Sequence, residues 1–145
     1  MRTNLLMKKI VPVFILILTV ISCGPSRRSI AIEEGWDLLG ERKVNFVKDK
    51  DVLEVHSSYK LTAIRFKVEG HDIRLNGVKI TFQNGDKLEP SLDDVISADQ
   101  YSREIELSMD GKFVNTIQFK YRTSGNVFKG RANVLIFGKR YTGNQ

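Results

Sequence analysis

The chain has 145 residues, 41% hydrophobic and 28% charged, with 23 Lys and Arg against 17 Asp and Glu and a formal net charge of +6. That length holds one small domain and a targeting segment, and a single cysteine excludes an internal disulfide. From Trp36 onward the count is 18 basic and 15 acidic residues, a net of +3, which argues against a dedicated nucleic-acid binder.

The start is basic (Arg2, Lys8, Lys9) and leads into an apolar run of twelve residues, Ile10–Ile21, that includes Pro12 and Thr19. A membrane-spanning helix needs about 20 apolar residues, so this run has the length of a signal-peptide core. Ser22 and Cys23 follow. Val20-Ile21-Ser22-Cys23 resembles the lipobox of bacterial lipoproteins. That resemblance implies cleavage before Cys23 and acylation of its thiol, with enough acyl chains for stable anchoring at about 0.8 kcal/mol per buried methylene. The expected organisation is a lipoprotein signal peptide over 1–22, a lipidated N-terminus and tether over 23–35, and a β domain over 36–145. The expected location is the bacterial cell envelope, with the domain in the periplasm or at the surface. Gly24 stands where an aspartate resembles an inner-membrane retention signal, which favours the outer membrane. Arg27 and Arg28 lie next to the lipid, where each charge contributes about 1 kcal/mol against anionic head groups.

Beyond the tether, alternation with period two dominates. Trp36, Leu38, Val44 and Phe46 share one parity. Ile64, Phe66 and Val68 alternate with Arg65 and Lys67. Val78, Ile80 and Phe82 alternate with Lys79, Thr81 and Gln83. Ile105 and Leu107 alternate with Glu104 and Glu106, and Ile117, Phe119 and Tyr121 with Gln118, Lys120 and Arg122. Such strands bury one face and wet the other, as antiparallel sheets do. Val134-Leu135-Ile136-Phe137 is continuously apolar, so it belongs at a sheet centre or under cover on both faces. Asn76-Gly77, Asn84-Gly85 and Asp110-Gly111 suit hairpin turns, and Gly70-His71-Asp72 and Ser124-Gly125-Asn126 suit loops. Ser91 can cap one short helical turn over Leu92–Ile96, with Asp93 and Asp94 at its N-terminus. Trp36 is expected in the core. The pattern predicts an all-β antiparallel β-sandwich of seven to nine strands, of which a jelly roll is one form, with a closed barrel as the alternative.

Trp36-Asp37-Leu38-Leu39-Gly40-Glu41-Arg42-Lys43-Val44, Asp51-Val52, the stretch Val78–Gly85, Ser102–Leu107, Ile117–Thr123 and Ala132–Gly138 resemble an uncharacterised family of small exported bacterial β domains. That resemblance implies an exported β fold. It brings no activity and no catalytic residue.

Candidate chemistry is sparse. No Gly-x-Ser-x-Gly elbow is present, and His56 and His71 sit in polar, loop-like surroundings. Asp93, Asp94 and Asp99 form an acidic group that is the only calcium candidate, set against a solvated acidic loop. Glu104 and Glu106, two apart on a strand, are the carboxylates from which a hydrolase alternative would be built, but pairing with Lys120 and Arg122 across strands is the simpler expectation. Arg65, Lys67, Lys79, Lys120 and Arg122 point outward and would make a basic face for an acidic glycan, a phosphate-bearing head group or a partner protein. Tyr59, Tyr101, Phe113 and Phe128 fall near loops, where exposed rings would bind glycan. The expected function is a membrane-tethered, non-catalytic binding or assembly module for another envelope protein, with a carbohydrate-binding module as the alternative. No cofactor is expected.

Overall fold

The computed structural model describes residues 29–45, 47–123 and 131–143. By internal contacts the chain divides into two units, Met1–Ile30 and Ala31–Gln145, and every described strand lies in the second. The strands are β1 (Trp36–Asn45), β2 (Lys50–Glu54), β3 (Leu61–Glu69), β4 (Ile73–Phe82), β5 (Lys87–Leu88), β6 (Asp94–Ile96), β7 (Ile105–Glu106), β8 (Val114–Thr123) and β9 (Arg131–Arg140). No helix occurs among the described residues.

Two antiparallel sheets form. Sheet A has the order β1-β9-β3-β7, and sheet B the order β2-β8-β4-β5, with β6 also on β4. The order 1-9-3-7 in one sheet is matched by 2-8-4-6 in the other. The connections β1–β2, β2–β3, β3–β4, β6–β7, β7–β8 and β8–β9 therefore each cross from sheet to sheet, which is the winding of a jelly roll. The expected sandwich is present in that form, not as a closed barrel.

Alternation builds the core, as each strand sends every second side chain inward. Ile64, Phe66 and Val68 of β3 and Val134 and Ile136 of β9 meet Ile73, Leu75, Val78 and Ile80 of β4 and Ile117 and Phe119 of β8, and all are buried. Phe66 of sheet A meets Phe119 of sheet B edge to face at 5.6 Å, and Phe119 leans on Tyr121 at 5.7 Å. β9 lies between β1 and β3, and Val134–Phe137 is buried on both faces, as its unbroken apolar run predicts. At the corner between sheets, a Cβ on Gly40 would sit 2.6 Å from Leu53 Cδ1, so only glycine lets β1 pack flush on β2.

Two local expectations are corrected. Asn76-Gly77 is not a turn. It lies inside the ten-residue strand β4, where the register with β8 shifts between Leu75 and Gly77; Asn76 is the extra residue of a bulge. Leu92–Ile96 is not helical, because Asp94–Ile96 pairs with Ile73–Leu75 as β6 and the Ser91 carbonyl accepts from Arg103. Trp36 is buried, as expected, on the outer face of sheet A over the Arg65 guanidinium. Asn84-Gly85 does turn β4 into β5, and Asp110-Gly111 precedes β8, each with glycine at positive φ. Phe46 and Ser124-Gly125-Asn126 lie outside the described residues, as do the expected signal peptide and residues 23–28 of the expected tether.

One polar group reaches the core at the rim of sheet B. The Tyr121 side chain is 1% exposed, and its hydroxyl donates to Asp51 Oδ2 at 2.6 Å. Burial, the hydrogen bond to Asp51, and the charges of Asp51 and Asp49 all hold the phenol neutral, raising its pKa above the tyrosine value. The folded state thus keeps the proton after the unfolded chain, near the ordinary pKa of about 10, has lost it. That contribution is complete below about pH 10 and declines as pH rises toward the raised folded value. Urea midpoints measured from pH 8 to 11 should fall less steeply above pH 10 in Tyr121→Phe than in the wild type. Parallel declines would mean that this hydroxyl does not govern the alkaline limb.

Candidate functional site

The two outer faces differ sharply, and register explains how. On sheet B, outward positions of β8 align with outward positions of its neighbours. Lys120 lies between Lys50 and Gly77, Gln118 between Val52 and Lys79, Thr116 between Glu54 and Thr81, and Arg122 beside Arg74. Lys87 continues the Thr81 row on β5. Lys50, Arg74, Lys79, Lys87, Lys120 and Arg122 therefore share one face. Two of them are neutralised: Arg74 by Asp93 at 3.1 Å and Lys79 by Glu89 at 2.9 Å. No ion pair joins Lys50, Lys120 or Arg122 to any of the described residues, and all three are exposed.

A groove of about 430 Å³ opens in this face beside the β4 bulge. Gly77 leaves its floor bare, Lys79, Gln118 and Lys120 line one wall, and Glu89 and Ser91 line the other. The hydrogen bond from Lys79, then its charge, hold the Glu89 carboxyl below its ordinary pKa, and Lys120 and Lys87 push the same way. With Lys79 paired to Glu89, Lys120 leaves the groove lining with a net positive charge, which suits a carboxylate- or phosphate-bearing ligand.

Of the five residues expected on one basic face, the structure brings three together. Lys79, Lys120 and Arg122 share it, but Arg65 and Lys67 belong to β3 in the other sheet. Lys50 and Arg74 were missed. Lys50 was hidden between Asp49 and Asp51, although Lys50, Val52 and Glu54 alternate outward. Arg74 was hidden by the bulge at Asn76, which flips parity between Arg74 and Lys79.

Arg65 has a different job. Its guanidinium is stacked between Trp36 and Tyr101, 4.1 Å from each ring centroid, and its Nη2 donates to Glu33 Oε2 at 2.7 Å. Buried Nε has no acceptor among the described residues. The Tyr101 ring in turn meets Phe137 edge to face at 5.7 Å and carries Lys67 on it at 5.3 Å. This stack covers the outer face of sheet A and ties the segment before β1 to β3, β9 and the edge segment around Tyr101. It is a filled structural clamp, not a basic docking point.

The aromatic candidates do not converge. Tyr101 belongs to the clamp. Tyr59 is half-buried under Arg140, 4.7 Å from its ring, and burial followed by the Asp37 hydrogen bond raises its pKa. Phe113 is 39% exposed at the end of the sandwich, beside Lys60 and Gly111. Phe128 lies outside the described residues, as does Cys23. The acidic candidates are dispersed too. Asp93 and Asp94 are taken by Arg74 and Arg103, and the Asp99 amide bonds the Val68 carbonyl. Among the described residues no group of three or more His, Cys, Asp or Glu is placed to hold a metal ion. Glu104 faces Lys139 at 3.6 Å in sheet A, not Lys120 or Arg122, because β7 pairs with β3. Glu104 and Glu106 line an open groove of about 600 Å³ with Met109 and Lys139.

The clamp gives a direct test of stacking against charge. Glu33 is 66% exposed, so Glu33→Gln should cost less than about 1 kcal/mol. Arg65→Lys keeps the charge but loses the planar fork between two rings, and should cost about 1–3 kcal/mol. Trp36, the single tryptophan, reports both in urea titrations by fluorescence; equal costs would assign the clamp to the ion pair instead.

The sequence resemblance seen in the strands has a counterpart at the level of the whole chain. No curated protein matches it. The family model described as "Domain of unknown function (DUF2541)" matches residues 13–138, which spans every strand but the last residues of β9. On that coverage the chain belongs to the DUF2541 family.

Proposed function

We propose that this protein is a lipid-anchored, non-catalytic binding module of the bacterial cell envelope. Its ligand face is the outer face of sheet B, and its partner is an acidic segment of another envelope protein. The observation that carries the reading is the row Lys50–Lys120 with Arg122 beside it, cations without counter-charge among the described residues, next to an electropositive groove. The anchor rests on the signal-like segment Ile10–Ile21 followed by Cys23, with the outer membrane favoured by Gly24. With Cys23 acylated, the mature chain has no thiol for nucleophilic chemistry, and of the groove-lining carboxylates Glu89 and Glu104 are paired with Lys79 and Lys139. A glycan-binding reading loses its motive, because Tyr59, Tyr101 and Phe113 are held by different neighbours rather than by one platform.

Charge reversal tests the face. Exposed substitutions of this kind change stability by less than about 0.5 kcal/mol. Lys120→Glu with Arg122→Glu in the acylated protein should reduce recovery of the crosslinked partner from membranes about tenfold or more, and raised salt should weaken recovery by the wild type. Undiminished recovery by the double variant would refute the face. Cys23→Ala should shift the protein into the soluble fraction with its urea midpoint unchanged; retention on washed membranes after signal cleavage would refute the anchor.

A further inference from the structure

We propose that the end of the sandwich where the chain enters β1 is a bilayer-docking surface, with Met109 as its insertion tip. The proposal rests on the lipid-anchor reading and goes beyond it, because an anchor alone leaves the domain free to tumble.

The end is defined by topology. β1 begins there at Trp36, β9 finishes there at Arg140, and β3 begins there at Leu61, which pairs with Arg140 and bridges to Lys112. The turn between β7 and β8 projects from it. Gly111 N–H bonds the Ser108 carbonyl, the Asp110 amide bonds Ser108 Oγ, and Gly111 takes φ +66°. A Cβ on Gly111 would sit 2.9 Å from Cβ atoms of Lys60 and Tyr141, so the glycine lets this turn lie flush against both. The result is a fixed surface with Met109 93%, Phe113 39% and Tyr141 36% exposed, and Ile32 48% exposed just before the first strand.

Its chemistry is that of an interface between water and lipid. Lys60 lies over the Tyr141 ring at 5.8 Å and Lys112 over the Phe82 ring at 4.6 Å. Both present an apolar stem beside an aromatic ring, as side chains do that snorkel to phosphates; the Lys112 ammonium also lies 3.8 Å from Asp86 at the rim. Tyrosine and phenylalanine suit the head-group boundary, and an unbranched methionine suits insertion. The tether works in the same direction. Gly24 to Gly35 is twelve residues, at most about 40 Å extended. It confines the domain near the surface at an effective concentration in the millimolar range, so weak contacts suffice. With this end on the bilayer, the strands stand off the membrane and the basic face of sheet B points sideways, open to a partner held in the same membrane.

The test uses the acylated full-length protein in vesicles of phosphatidylethanolamine and phosphatidylglycerol. Because acylation consumes Cys23, an introduced cysteine is the sole labelling site. Met109→Cys and Val47→Cys are compared; Val47 is 94% exposed in the β1–β2 connection at the far end. A polarity-sensitive dye at 109 should be several-fold better protected from iodide than the dye at 47, and it should be quenched by nitroxide carried on the lipid. Lys60→Glu should reduce that protection. Equal iodide quenching at the two positions overturns the proposal, as does protection at 109 without lipid quenching, which would signify a protein cover. Labelling of the wild-type chain before any vesicle is added would show Cys23 to be free. That outcome overturns the anchor and the docking together, and it is distinguishable from the failure of docking alone.

Discussion

Burial between the two sheets is the constraint on which everything else rests. The chain has one cysteine and so no internal disulfide, and no metal cluster occurs among the described residues. Stability must come from side chains that alternate inward from β3, β9, β4 and β8. Each fully buried isoleucine or phenylalanine contributes about 1.5–3 kcal/mol, and the aromatic column Phe66–Phe119–Tyr121 joins the sheets through their centre. The jelly-roll winding follows from this demand. Every inter-sheet connection brings the next strand's apolar face over the one just laid down.

With the core between the sheets complete, the outer faces are free to diverge. Sheet A uses its outer face for a second layer of packing. Leu135 and Phe137 have no exposed surface, and the Trp36–Arg65–Tyr101 stack lies beside them. A guanidinium suits that position because its faces are weakly hydrated while its edge still reaches Glu33. Sheet B keeps its outer face wet and charged. The difference matters for function, since a ligand arriving on sheet A would meet arginine and aromatic groups already satisfied by each other. On sheet B it would meet Lys50, Lys120 and Arg122, which no ion pair among the described residues neutralises.

Much of this was legible in the sequence where the physics is local. Period-two alternation gave the strands β3, β4, β8 and the position of Val134–Phe137 at a sheet centre. Glycine at positive φ marked the turns at Gly85 and Gly111. The failures have non-local causes. Asn76-Gly77 carries turn chemistry, but pairing of β4 with β8 on both sides of it, from Leu75 and again from Gly77, holds it in a strand as a bulge. Leu92–Ile96 has a plausible cap, but an unpaired stretch of β4 offers Asp94–Ile96 more than an isolated helical turn would. Arg65 and Lys120 look alike in alternation; only the crossing between sheets separates a buried clamp from an exposed cation. The shared basic face needed register across three strands and the parity flip at the bulge, neither of which a single strand encodes.

The sheet edges favour the face over strand addition as the proposed docking element. Adding a strand requires a long free row of amides and carbonyls. Sheet A ends at β7, two residues long, and the segment around Tyr101 that continues that edge bonds β3 irregularly through Ser102 Oγ. Sheet B ends at β5 and β6, two and three residues long. On the opposite side β1 and β2 meet at the Gly40 corner, where Arg42 Nε donates to the Val52 carbonyl at 3.2 Å and blocks the β2 edge. Short edges and a charged cap are how sheet proteins avoid unwanted pairing. The proposed partner would therefore meet side chains instead of backbone, and on sheet B Lys50, Lys120 and Arg122 have no ion pair among the described residues.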